Sequence, residues 1–495
     1  MEIGSALPIL ALLSPLLGSV LILLSSRRPN LREFWTIGAS LFQFGIVASM
    51  VPILLRGDPI VARLFAMFPG IDFEFRVDPF GLLFALTASF LWILVSFYSI
   101  GYMRALKEHG QTRFYFCFAL AILGAVGVAL SGNLVTMYVF YEILTVSTYP
   151  LVAHEQSAEA LFAGRKYLAY LLTAGCFLLA AIAITYWISG TTDFRPGGVL
   201  EGSMASPILL VTLFVLFILG FMKAAYMPFH SWLPSAMVAP TPVSALLHAV
   251  AVVKAGVFGM VRTVNYVYGV DLMGQLGLGG VLAFFAGFTM IGASFFAIAQ
   301  DNLKRRLAYS TISQLSYIVF GVALLEPMGI TGAMLHIPFH GFMKITLFLC
   351  AGSVLVGTGK KNVSELAGIG RTMPVTMFAF MVGAFGMCGL PPACGFVSKW
   401  YLGLGTLEAG NLPFLVILLI SSFLDVVYFF PILYTAFFES PRGEESASDK
   451  RGTIKEAPLT MVVPLCLTAL GSILFCFPNP LTEMVLRLVR MAVEG

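Results

Sequence analysis

Four lysines of this chain, Lys223, Lys254, Lys344 and Lys399, lie inside stretches apolar enough to cross a membrane, with Glu142 and Asp425 at similar depth. An unpaired ammonium deep in a bilayer costs at least a few kcal/mol. Ionisable groups kept against that cost are suited to moving charge, so ion translocation is the first expectation. Three basic side chains also form a pattern. In LHIPFHGFMKITLF, His336, His340 and Lys344 are spaced four apart. At about 100° per residue they share one helix face and cover about 12 Å of its axis. Histidine titrates near neutral pH, and desolvation makes an ammonium a readier acid. Such a stripe can pass a proton from one water to the next.

The other candidates are read singly or in pairs. Glu142, in VTMYVFYEILTVSTYPL, has no basic neighbour in sequence, and Lys223 is its most economical partner. We expect a breakable pair: closed, the lysine keeps its proton; open, it releases it. A static structural pair is the competing reading. His248 and Lys254 are six apart, so they face different neighbours. Asp425, in SSFLDVVYFFP, is placed near the end of its helix and is expected to pair with Lys399 or hold water. Ser310, Thr311, Ser313 and Gln314 either line water or bond neighbouring helices. Asp78, Asp301 and Glu326 sit at helix ends and read as interfacial. The seven cysteines form no CxxC pair and read as inert thiols, so no cluster, metal or other cofactor is expected.

The elements that must carry these groups follow from hydropathy. The chain has 495 residues, 59% hydrophobic and 11% charged, and long apolar runs repeat from end to end. That excludes a soluble multidomain protein and predicts a single all-α, polytopic membrane domain over 1–495. Runs of about 20 apolar residues predict about fourteen transmembrane helices. They lie near 3–25, 33–55, 79–102, 114–131, 134–153, 167–189, 207–229, 241–265, 277–299, 304–324, 328–356, 374–410, 412–436 and 458–478. The N-terminal run has no basic stretch before it and reads as a first span, not a cleaved signal peptide. Two helices should be broken. Pro228 follows Lys223 closely, and in GLPPACGFVSKW Pro391 and Pro392 lie between Gly389 and Gly395. Carbonyls freed at such breaks can solvate an ammonium. Shifting Lys223 onto Lys399 carries Lys254 to position 430 and Tyr170 to 346, each beside another candidate. This register predicts two inverted five-helix repeats, 114–265 (helices 4–8) and 277–436 (helices 9–13), as in transporters.

Charge sets the orientation. Most loop Lys and Arg follow odd-numbered helices, as in Arg27, Arg28, Arg104, Lys107, Lys360 and Lys361. Loops after even-numbered helices hold only Arg56, Arg63, Arg76, Arg195 and Arg262. The positive-inside rule then puts the first set in the cytoplasm and both termini outside, in the plasma membrane. The polar stretch 438–457 is expected as a cytoplasmic loop. The amphipathic tail from Leu481 to Met491 is expected along the interface, with no long lateral helix after it. The net charge of +4 is spread over short loops and points to no nucleic-acid partner.

Four stretches, FMKAAYMPFHSWLPSAMVAPTPVSALLHAVAVVKAG, DNLKRRLAYSTISQLSY, HIPFHGFMKITLF and GLPPACGFVSKW, cover the candidate residues. Together they resemble the antiporter-like subunits shared by Mrp-type sodium/proton antiporters and respiratory complex I, with the D-type Mrp subunits most similar. The resemblance implies fourteen helices, two inverted repeats, two discontinuous helices and a proton path along a central polar axis. It implies that Glu142 and Lys223 act as the first-half pair and Lys254 as the connecting lysine beside His248. His336, His340 and Lys344 would form the relay, and Lys399 the terminal group. Ser235 departs from the family, which often has an acid there, so no charge contact is expected at that loop. The implied partners are other membrane subunits and the lipid bilayer. Lysine is a poor sodium ligand, so protons are assigned to this chain and any sodium path to partners. A complex I-like or membrane-bound hydrogenase subunit is the alternative, and a non-conducting membrane anchor is the alternative of another class.

Overall fold

The computed structural model describes residues 4–440 and 454–494. Most of the expected polar loop over 438–457 therefore lies outside the described residues. The N-terminal half holds α1 (Leu7–Leu24), α2 (Pro29–Leu55), a hairpin of β1 (Ile60–Phe68) and β2 (Ile71–Val77), and α3 (Pro79–Ala105). It continues through α4 (Gln111–Leu130), α5 (Leu134–Val152), α6 (Ala158–Ser189), α7 (Pro207–Gly220) and α8 (Thr241–Tyr268). The second half holds α9 (Leu278–Ile298), α10 (Leu303–Ala323), α11 (Pro327–Thr358), α12 (Pro374–Cys388) and α13 (Gly395–Glu408). It ends in α14 (Leu412–Phe437), α15 (Leu459–Leu474) and α16 (Pro480–Glu494).

Helix starts follow local chemistry. Asp78, Asn133, Ser157 and Asn302 each cap the helix that follows them, their side chains accepting a backbone N–H three residues on. Ten helices among the described residues are long and apolar enough to cross a membrane, and the chain is a multi-pass membrane protein. The other stretches read as spans are α10, α15 and the two interrupted runs. Helix α10 carries too many polar residues to register as apolar.

Both expected breaks are present. After Gly220 the chain makes a 3-10 turn over Met222–Ala224, and Ala225 takes a left-handed φ of 54°. Around the break the carbonyls of Gly220, Ile218 and Met222 accept from Tyr141 Oη, Tyr226 Oη and Trp232 Nε1 at 3.0, 2.7 and 3.2 Å. Residues 374–410 split into α12 and α13 around Gly389, whose φ is 77°.

Burial sorts the helices by chemistry. The most apolar stretch of α8 is wholly buried and that of α11 largely so, whereas fewer than half the residues in the corresponding stretches of α6 and α14 are buried. The peripheral helices present Phe284, Phe288, Leu419 and Phe423 outward. The helices carrying His248, Lys254, His336, His340 and Lys344 are thus the innermost.

Two expectations change. The stretch 60–77, read as a plain loop, is an antiparallel hairpin that docks on the α4–α5 connection through a bridge between Phe75 and Ser131. The available signal was the alternation in IDFEFRV just after Pro69-Gly70, which itself marks a turn. Arg262, counted as a loop residue, is fully buried near the end of α8. The amphipathic tail is a helix, α16, which buries Val485, Leu488 and Val489 against α3 and α11.

Candidate functional site

The second break builds the densest polar cluster. Lys399, on α13, donates through Nζ to Asp425 Oδ2 and to the Met387 carbonyl, both at 2.7 Å, with Ser422 Oγ at 3.3 Å. Met387 lies one residue before the C-terminal end of α12, so its carbonyl has lost its helical partner. The break therefore solvates the ammonium. Asp425 is mid-helix in α14, not near its end as read from sequence. It also accepts from Gln314 Nε2 at 2.8 Å and from Tyr428 Oη. With the lysine paired and every carboxylate oxygen engaged, the desolvation penalty on the two charges is offset.

Gln314 extends this cluster to α11. Its Oε1 lies 3.0 Å from His336 Nε2, and an amide oxygen only accepts, so Nε2 carries the proton. Nδ1 of the same ring lies 2.8 Å from Ser398 Oγ. One histidine, one amide and one carboxylate thus form a continuous hydrogen-bonded row from α11 to the ion pair. Sequence reading left Gln314 undecided between water and helix contacts. Its position between a histidine and an aspartate 111 residues downstream settles the contact.

The stripe on α11 is on one face but is not wired along it. Its members turn to neighbouring helices instead: His336 and Lys344 both reach α10, at Gln314 and Ser310, and His340 reaches α8. His340 Nδ1 accepts from Lys254 Nζ at 2.8 Å on α8, and Lys344 donates to Ser310 Oγ at 2.6 Å on α10. His336 and His340 stack with ring centroids 5.8 Å apart and share no hydrogen bond. A spacing of four residues rises about 6 Å, more than a hydrogen bond spans.

In the first half, Lys223 is fully buried in the 3-10 turn and donates to the Tyr141 carbonyl at 2.5 Å, with its ammonium 3.0 Å from the Tyr141 ring centroid. Gly256 of α8 lets this turn approach, since a Cβ there would meet Ala224 N at 2.3 Å. Glu142 does not close on Lys223. No ion pair joins them among the described residues, and the half-buried Glu142 leaves its Oε1 unbonded against Gly175 of α6. The two residues are adjacent on the α5 side, but the tyrosine carbonyl takes the contact expected of the carboxylate. His248 also stays outside the network. It sits in a π turn over Leu246–Val250, packs on Phe348 at 4.8 Å, and both ring nitrogens lack partners. No hydrogen bond joins Lys223 to Lys254 among the described residues. At the loop where an acid was missing, Lys166 Nζ donates to Ser235 Oγ at 3.1 Å.

Sequence reasoning missed one buried pair. Arg262 Nη2 lies 2.5 Å from Asp78 Oδ2, and its guanidinium is ringed by Phe194, Phe258 and Tyr266 within 4.9 Å. Asp78 is at a helix end as expected, but it ties α3 to α8.

The model of the family described as "NADH:quinone oxidoreductase/Mrp antiporter, TM" matches residues 131–425, which include every candidate named above. The chain belongs to this family. A second model, for the N-terminus of complex I chain 5, matches residues 69–115. The chain is 33% identical over 477 residues to NADH-quinone oxidoreductase subunit N of Desulforudis audaxviator, covering 94% of both. It is 32% identical to the A-type Na(+)/H(+) antiporter protein of Alkalihalophilus pseudofirmus, covering 86% of this chain but 55% of that protein. It thus spans about half the length of that antiporter protein. A chain of the Mrp complex from Dietzia sp. has the same fold, with a TM-score of 0.86 at 22% identity over 100% of this chain and 97% of that one.

Proposed function

We propose that this chain is a proton-translocating, antiporter-like subunit of a multi-subunit membrane complex, of the Mrp cation/proton antiporter type. One observation carries the reading. Three titratable groups, Lys399, Asp425 and His336, are buried and joined in series across α13, α14, α10 and α11, with the Gln314 amide bridging the carboxylate and the imidazole and Lys254–His340 stacked on their end. A packed membrane domain with no transport role has no physical need for such a row. Protons move on this chain, and any sodium path belongs to partner subunits, because a lysine ammonium offers no lone pair to a hard cation.

Finer assignments rest on the same residues. The D-type reading rests on APTPVSALLHAVAVVKAG and on Lys399 as the terminal basic group. The two interruptions, at 221–231 and 389–394, support inverted units over 114–265 and 277–436. Loops after odd-numbered spans contact one another, as in Arg104 with Glu33 and Arg305 with Glu159. Ser5 and Arg487 instead meet Val61 and Leu55 beside the hairpin. We assign the basic loops to the cytoplasm and both termini to the outside of the plasma membrane.

A second reading, a proton-pumping subunit of a quinone-linked, complex I-like assembly, is favoured by the match to subunit N over nearly the whole chain. The test that addresses translocation itself uses the purified complex in proteoliposomes with a pH-sensitive dye. Gln314→Leu and Lys399→Ala are expected to bring cation- or redox-driven proton movement to background while the subunits still co-purify. Undiminished movement in both variants would make the chain a non-conducting anchor.

A further inference from the structure

The α3–α4 connection and the α5–α6 connection meet on the face that carries the basic loops. There Glu108, His109 and His154 bring one ligand atom each within 4.8 Å of one another. His154 is fully buried, and neither of its ring nitrogens has a hydrogen-bond partner. Its Nε2 lies 3.9 Å from Glu108 Oε2, beyond hydrogen-bond reach. A buried imidazole that makes no well-formed hydrogen bond, one ring nitrogen only facing the His109 backbone, calls for a ligand. His109 supplies a further sign. Its Nε2 lies 3.0 Å from the His154 carbonyl, which can only accept, so Nε2 holds the proton and Nδ1 keeps its lone pair. A backbone carbonyl holding the far N–H is the arrangement that orients metal-ligating histidines.

We propose that Glu108, His109 and His154 form a site for a divalent transition metal of the zinc class. Two imidazoles and a carboxylate are a zinc donor set, with the fourth position left to water, whereas calcium and magnesium select oxygen-only sets. The metal would clasp two connections that are distant in sequence. Ligand bonds of about 2.0–2.2 Å require the three groups to draw together by roughly an ångström. His109 is exposed on a short connection and can make that move. The facing charges are mixed. Arg113 opposes a cation but donates its Nη2 to the His154 carbonyl at 2.9 Å, and Glu155 and Lys304 lie near Glu108 with opposite signs. The proposal stands apart from ion translocation, since none of these residues belongs to the buried row.

The test is zinc titration of the untagged full-length protein in nanodiscs, read by calorimetry and metal content, with cobalt as a spectroscopic probe of tetrahedral geometry. One zinc per chain is expected, with affinity falling about tenfold or more in His109→Ala and His154→Ala. His336→Ala should bind zinc as the wild type does, which separates this site from the buried histidines. His109 is exposed, so its variant keeps the test valid even if His154→Ala folds poorly. Absence of zinc uptake by the wild type, or wild-type affinity in His109→Ala, would leave the three residues as loop packing alone.

Discussion

A basic side chain in a membrane domain is informative only through what it touches. Lys399 is held by a carboxylate and a carbonyl, Lys254 by an imidazole, Lys344 by a hydroxyl and Lys223 by a carbonyl and an aromatic face. These partners differ in how well they stabilise an ammonium, which is what a chain of proton sites requires. Two of the buried histidines, His336 on α11 and His248 on α8, should then behave differently. His336 bridges Gln314 and Ser398, whereas His248 is packed on Phe348 without a partner. His336→Phe is expected to stop proton movement in vesicles, and His248→Phe to retain most of it. Equal losses in the two variants would show that the hydrogen-bonded row does not define the path. The four basic positions and both acids were legible in the sequence because an ionisable group in an apolar run stands out. Gln314 was not, because glutamine is common as a helix-to-helix contact.

At the scale of elements, the breaks do the positioning. The α12–α13 interruption exposes the Met387 carbonyl and turns Lys399 back toward it. Its halves touch closely, since a Cβ on Gly395 would lie 1.9 Å from the Gly386 carbonyl. Gly395→Ala must push the halves apart, and overpacking of this kind costs about 1–3 kcal/mol. A lower melting temperature in detergent, together with weakened transport, is the expected result; an unchanged melting temperature would mean that the break is compliant. Both breaks were legible from proline and glycine chemistry, which acts within a few residues. The hairpin was passed over because its alternation is short and lies between two strong helix signals.

At the scale of the whole molecule, polar and apolar surfaces are inverted relative to a soluble protein. Charged side chains line the innermost helices, and large apolar ones cover the outer faces of α6, α9 and α14. That exterior suits lipid and neighbouring membrane subunits. Orientation can be tested directly with a membrane-impermeant maleimide on intact cells. The exposed Arg195→Cys should label from outside, and the exposed Arg28→Cys only after lysis. The reverse pattern would invert the proton path relative to the cytoplasm.

The sequence by itself determined that this is a membrane domain, that its four mid-span lysines and Asp425 are buried, and where two of its helices come apart. Those properties follow from hydropathy and from backbone chemistry, both of which are local. Only the tertiary structure decided the pairings: Lys254 with His340, Gln314 between His336 and Asp425, Asp78 with Arg262, and Glu142 held away from Lys223. Such contacts depend on how helices far apart in the chain rotate and cross, and a turn of one helix by a single residue would exchange every partner.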